Sequence, residues 1–385
     1  MLISVQNILG GQLSAIGGHH LEIELPLSKS ESNRALMIAH YAGIQCFDDL
    51  ETWRLGDSVS LSNSDDTVLL QKHLNTLNQY IQNSKSEVRS PLTLELDCHN
   101  AGTVFRFLMT AVANQCIMHN AQFIIDEELS SRQLSNLATQ QLSILLTGSE
   151  RMKSRPISSL VDALRNLGVA IEYTEKEGYP PILIKNSTDY TNLRVSLSSS
   201  DTSDTRDTRR LEISAEQSSQ FASSLLLAAP LWKNGLELHL TGNLSSLPYI
   251  DMTINMMRQC GVDVVRNDRD ITVKPGRYNI ENIKVEPDWS AAAFWYEMVS
   301  LSDDAEVLLK NLNINSLQAD AAAIKMFENL GVKTIATEEG TVVKKVNGQQ
   351  PTANSQLSIS KTVLICSLLS SRLVLEMELM RHLRD

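Results

Sequence analysis

The chain has 385 residues, 42% of them hydrophobic, enough for two or three domains with buried cores. Aromatic residues make up only 5% and the net charge is −11, a balance that disfavours base stacking and polyanion binding unless cations gather in one cleft. Five scattered cysteines (Cys46, Cys98, Cys116, Cys260 and Cys366) lack CxxC spacing, and no run approaches the ~18 apolar residues of a membrane span, so neither a zinc site, a disulfide framework nor a spanning helix is expected.

In chain order, the N-terminal stretch has no basic region ahead of a long apolar core, and a soluble, cytoplasmic protein is expected. The first informative stretch is LPLSKSESNRALMIA, Leu25 to Ala39. A strand-like run ends at Pro26 and a helix-like run begins near Ala35. Between them stand Lys29, Ser30, Ser32, Asn33 and Arg34, with the single acid Glu31. Lys29 offers a compact charge and Arg34 a planar fork suited to carboxylate or phosphate, beside the free N–H groups of a helix start. A capped helix with solvated charges explains the stretch equally well. HNAGTVFRFLMTAVA, residues 99–113, repeats the theme: Asn100 to Thr103 form a small-residue turn opening an apolar helix, and Gly102 lets an anion approach the main chain. Residues 128–143 suggest a short amphipathic helix. TGSERMKSRPISSLVDAL, residues 147–164, sets Arg151, Lys153 and Arg155 before Pro156, a residue suited to a first helical turn; an extended backbone puts all three cations on one side.

Three segments share one plan. Residues 160–173, 253–265 and 322–335 each carry a helix-period apolar pattern, then Gly168, Gly261 or Gly331, then a β-branched strand. The recurrence predicts an architecture of repeated α/β units. Residues 196–210 read as a polar surface loop. EQSSQFASSLLLAAP places Ser218, Ser219 and Gln220 at the head of an Ala/Leu-rich helix, and LSSLPYIDMT offers Ser246, Tyr249 and Asp251 where another begins. Five helix starts dressed with donors, several also with cations, predict a ligand bearing several anionic groups. No HExxH, P-loop, GxGxxG or catalytic-triad spacing competes, and neither a metal nor a cofactor is expected.

In this order the motifs SKSESNRA, NAGT…R, TGSERMKSRPI, GYPPILI, SSQF, LPYIDMT and VEPDWSAA resemble the EPSP synthase family of enolpyruvyl transferases, over about Leu21 to Ile335. The resemblance implies an α/β enolpyruvyl transferase fold of two domains, each built from βαβαββ units. Residues 1–27 and 285–345 would form a discontinuous domain with its second half incomplete. Residues 28–284 would form the shikimate-phosphate-binding domain, and 346–385 an aberrant tail. It implies transfer of the carboxyvinyl group of phosphoenolpyruvate to the 5-hydroxyl of shikimate 3-phosphate. Lys29 would contact both substrates, Ser30 and Arg34 the shikimate phosphate, with Arg34 at its ring carboxylate. Gly102 and Arg155 would bind phosphoenolpyruvate, Ser218, Ser219 and Ser246 the 3-phosphate, and Gln220 both ligands. The implied partners are these small molecules alone, with no nucleic acid and no membrane, for a monomeric enzyme.

The sequence departs from the family pattern in places. Leu27 stands where Gly or Ala is common, and His99 where Gly precedes Asn. The catalytic Asp base and Glu acid implied by the resemblance have no matching positions after Ile335, and residues 356–385 look unlike the family, as a frameshifted ending would. Little or no turnover is therefore expected of the chain as written, which leaves a binding-only remnant as the alternative. UDP-N-acetylglucosamine enolpyruvyl transferase is the nearest rival enzyme. It uses a loop cysteine as acid, whereas Cys116 falls within an apolar helix-like run.

Overall fold

The helix–glycine–strand pieces predicted from the sequence belong to a larger repeat. The computed structural model describes residues 21–44, 54–55, 59–84, 93–125, 142–186 and 210–346, except 217, 245, 282 and 303. The expectations for residues 1–20, for the tail 346–385 beyond its first residue, and for most of 128–143 and 196–210 lie outside this set.

β1 (Leu21–Glu24) leads to α1 (Lys29–Tyr41), to the paired short strands β2 (Arg54–Leu55) and β3 (Val59–Ser60), and to α2 (Asp65–Ser84). Two runs of one order follow. The first is β4 (Leu94–Asp97), α3 (Gly102–Ile125), β5 (Ser143–Thr147), α4 (Glu150–Lys153) with α5 (Ser158–Asn166), β6 (Ala170–Tyr173) and β7 (Ile182–Lys185). The second is β8 (Arg210–Ser214), α6 (Ser219–Ala228), β9 (Leu236–Thr241), α7 (Leu247–Gln259), β10 (Val264–Asn267) and β11 (Asp270–Val273). The chain continues through α8 (Trp289–Leu301), β12 (Glu306–Lys310), α9 (Ala323–Glu328), β13 (Val332–Thr337) and β14 (Gly340–Lys345).

Three four-stranded sheets have identical topology. Their orders are β4-β5-β7-β6, β8-β9-β11-β10 and β1-β12-β14-β13: first strand parallel to second, second antiparallel to fourth, fourth antiparallel to third. Each is a βαβαββ unit. The third is the same unit with everything from α1 to β11 inserted between its first strand and its first helix. The described residues form two compact units, 21–31 with 285–346 and 32–284.

The repeat is locally encoded. Gly168, Gly261 and Gly331 have φ of 85°, 83° and 76°, the left-handed geometry in which a Cβ would clash with the backbone. At the first two, the next amide reaches back five residues, Val169 to Leu164 and Val262 to Met257, closing the helix end and launching the strand. α8 buries Trp289, Ala292, Ala293, Tyr296 and Val299, a helical stripe, on the sheet of its unit. In the other unit α6 is buried on every side, so its apolar residues need no amphipathic pattern.

One boundary differs from expectation. α1 begins at Lys29, six residues before Ala35, so the polar cluster forms its first two turns rather than a linker. The reason is tertiary: Ser28 N–H donates to the Glu286 carbonyl at 2.8 Å and Asp288 N–H to the Pro26 carbonyl at 2.8 Å. These bonds fix the helix entry, while Ser28 Oγ accepts from Glu31 N–H at 3.4 Å.

Candidate anion-binding site

Parallel strand pairs explain why the predicted loops converge. β4 and β5 are parallel neighbours, so the loops leaving them start from the same sheet edge, and the same holds for β8 and β9. The first pair brings together residues 98–102 and 148–155. Ser149 N–H donates to the His99 carbonyl at 3.0 Å, and the Ser149 hydroxyl donates to Asn100 Oδ1. A Cβ on Gly148 would lie 2.8 Å from the His99 carbonyl oxygen, so only glycine lets these loops touch.

The site is centred on Gly102. A Cβ there would lie 2.4 Å from Arg155 Nη1 and 2.6 Å from Arg106 Nη1, so two guanidinium groups meet over the first residue of α3. Arg106 donates to Gln220 Oε1 at 2.6 Å, and Gln220 Nε2 donates to Thr103 Oγ1 at 2.7 Å. That chain joins the β4/β5 loops to the start of α6. Burial, and then the charge of Arg155, bring the Arg106 guanidinium down to about 10, a measure of two like charges held together. The Arg155 backbone N–H donates to the Met152 carbonyl at 3.0 Å, while its guanidinium has no hydrogen-bond or ion-pair partner among the described residues. Two convergent guanidinium groups without a carboxylate between them, at a helix N-terminus, form a receptor for a dianion.

Arg106 was absent from the residues singled out in the sequence, although it closes the NAGT…R motif. Its signal was its spacing: four residues after Gly102 lies on the same helical face. The three cations of residues 151–155 were expected on one side of an extended segment. Instead α4 forms a helical turn there, which sends Lys153 to Glu175 at 2.9 Å and Arg155 to Gly102. Pro156 precedes the N-cap Ile157 rather than entering the first turn of α5.

Around α6 and α7, Ser218 is the N-cap and accepts from Gln220 N–H at 3.2 Å; Ser219 opens the helix, nearly buried. Ser246 is the N-cap residue of α7 but its side chain makes no capping bond, and Asp251 is tied to Arg266 at 2.8 Å. Arg34, 3% exposed, donates to Thr253 Oγ1 at 2.7 Å, Ser223 Oγ at 3.4 Å and the Tyr249 carbonyl at 3.3 Å. It is a packing hub between α1, α6 and α7 as well as a candidate ligand contact. Lys29 and Ser30 open α1 in the other unit, where Lys29 N–H donates to Asp288 Oδ2 at 3.2 Å. Cys116 is fully buried and burial pushes its thiol up to about 12, as suits a core residue and not a loop acid.

The model of the family described as EPSP synthase (3-phosphoshikimate 1-carboxyvinyltransferase) matches residues 17–365. The chain belongs to the EPSP synthase family. The match extends 30 residues past Ile335, so residues 356–365, which look unlike the family in the sequence, lie within it. A 3-phosphoshikimate 1-carboxyvinyltransferase of Bacteroides fragilis is 34% identical over 336 residues, 86% of this chain and 65% of the relative. One of Actinobacillus pleuropneumoniae is 32% identical over 328 residues, 81% of this chain and 64% of the relative. The chain thus spans just under two thirds of the length of these curated relatives. The solved EPSP synthase of Acinetobacter baumannii superposes with a TM-score of 0.51 at 18% identity, covering 86% of this chain and 66% of that one. Its likeness agrees with the enolpyruvyl transferase fold expected from the motifs. No described helix is long and apolar enough to cross a membrane, and no described cluster of His, Cys, Asp or Glu is arranged to hold a metal ion.

Proposed function

We propose that this family member binds shikimate 3-phosphate and phosphoenolpyruvate and serves 3-phosphoshikimate carboxyvinyl transfer. The observation that carries the proposal is the Arg106–Arg155 pair over Gly102, with the Arg155 guanidinium left without a partner among the described residues. The Gly102 N–H and both guanidinium groups take the phosphate of phosphoenolpyruvate. Ser218, Ser219 and Ser246 take the 3-phosphate, and Gln220, fixed between Arg106 and Thr103, reaches both ligands. Lys29, Ser30 and Arg34 complete the grip on shikimate phosphate, Arg34 at the ring carboxylate. The chemistry is attack of the 5-hydroxyl oxygen, which gives up its proton, on the phosphate-bearing vinyl carbon of phosphoenolpyruvate while its methylene carbon is protonated. The resulting tetrahedral adduct then loses a proton from the new methyl group and expels phosphate. The protein acts as a cytoplasmic monomer on these small molecules, its oligomeric state to be read by light scattering.

The test is calorimetry of the full chain with shikimate 3-phosphate, coupled to a phosphate-release assay with both substrates. Binding with turnover supports the transfer; binding without turnover restricts the chain to ligand capture. No binding of shikimate 3-phosphate overturns the proposal.

A further inference from the structure

We propose that Asp97 and His99 form a clamp that positions the anion loops, Asp97 holding His99 in a backbone conformation that a β-substituted residue otherwise resists. His99 has φ of 47°, in the left-handed region. Two other non-glycine described residues share that geometry, Asp268 and Asn311, and both are short Asx side chains at turns, whose side chains can bond their own backbone; His shares their enrichment in this region but has no such short local bond of its own. His99 is bulkier, and it stands in a loop between the strand β4 and the helix α3. What holds it is Asp97: Oδ1 accepts from His99 N–H at 2.8 Å, and Oδ2 lies 3.3 Å from His99 Nδ1. Asp97 is itself fixed, since its carbonyl accepts from His73 Nε2 at 2.9 Å and its β4 position pairs with Thr147 of β5.

The conformation of His99 is transmitted. Its carbonyl turns to receive Ser149 N–H, the next residue, Asn100, receives the Ser149 hydroxyl, and six residues beyond Ser149 the Arg155 guanidinium arrives over Gly102. If His99 relaxed to negative φ, its carbonyl would leave Ser149 and the two loops would lose their register. Asp97 and His99 are therefore positioning residues: neither is among the groups assigned to the anion, and both set where Arg155 stands. The ligand half of this inference rests on the anion-site reading above.

The experiment compares the full-length wild type with Asp97→Ala, Asp97→Asn, His99→Gly, His99→Ala and the double variant Asp97→Ala/His99→Gly. Two readouts are used: hydrogen exchange at the Ser149 amide, and thermal stabilisation by inorganic phosphate. Glycine takes positive φ without help, whereas alanine pays the left-handed penalty and lacks the ring contact. Asp97→Ala and His99→Ala are expected to speed Ser149 exchange and weaken phosphate about five- to tenfold, by lowering the fraction of competent loop. His99→Gly stays within twofold of wild type, Asp97→Asn keeps most of the effect through its amide oxygen, and Asp97→Ala costs less than twofold in the His99→Gly background. Equal losses from Asp97→Ala in both backgrounds, or equal behaviour of His99→Gly and His99→Ala, overturn the clamp. If Asp97→Ala fails to fold, the His99→Gly and His99→Ala pair still decides. If wild type ignores phosphate, the anion-site reading falls alone, because Ser149 exchange tests the clamp without ligand.

Discussion

Gly102→Ala separates the anion site from the fold that carries it. The new methyl group would lie 2.4 Å from Arg155 Nη1 and 2.6 Å from Arg106 Nη1, where ordinary contact begins at 3.4 Å. The guanidinium groups must therefore retreat by 3.4 − 2.4 = 1.0 Å and 3.4 − 2.6 = 0.8 Å. Both atoms sit at the ends of flexible side chains, so they move without dragging backbone. Alanine is also the better helix former, by up to about 1 kcal/mol in a helix interior. The thermal midpoint should hold or rise slightly. A hydrogen bond to a charged group is worth about 1.5–3 kcal/mol, and displacing one by ~1 Å forfeits most of it, so phosphoenolpyruvate should bind about 10- to 100-fold more weakly. Calorimetry with phosphoenolpyruvate at saturating shikimate 3-phosphate reads this loss, while shikimate 3-phosphate alone should bind within twofold of wild type. Unchanged phosphoenolpyruvate affinity, or an equal loss for both ligands, would refute the geometry.

Three further variants probe its surroundings. Arg155→Gln removes the charge that helps depress Arg106, so the ligand-free protein should be as stable as wild type or about 1–3 °C more stable, while stabilisation by phosphate disappears; a midpoint several degrees lower would contradict the like-charge account. Burial brings His40 from 6.5 to about 4, so the unfolded state binds the proton first as pH falls. Stability is then complete above pH 6.5 and declines toward pH 4, by about 2 kcal/mol at pH 5. Urea denaturation of His40→Leu at pH 7 and 5 should show a flatter acid limb than wild type, and parallel limbs would rule the assignment out. Thr253→Val deletes the hydroxyl that accepts from Arg34 Nε at 2.7 Å and lies 2.9 Å from both Ser223 Oγ and the Tyr249 carbonyl. It should cost about 2–3 kcal/mol in the same assay, and a loss below about 0.5 kcal/mol would show that Arg34 finds other acceptors.

The repeated helix–glycine–strand units, the apolar runs of α3 and α6 and the donor-rich helix starts were legible in the sequence, because each depends on residues within one or two turns of one another. Gly168, Gly261 and Gly331 announce their caps through a steric rule that no distant contact alters. What the tertiary structure alone decided is where those starts point. Arg106 and Arg155 lie 49 residues apart in the chain and meet because β4 and β5 pair in parallel and their loops are laced through Ser149. Arg34, read as a candidate ligand group, is almost wholly enclosed, because α6 and α7, far from α1 in the chain, supply acceptors around it. Local periodicity carries no information on strand register, and register is what brings charges from separate loops over one glycine.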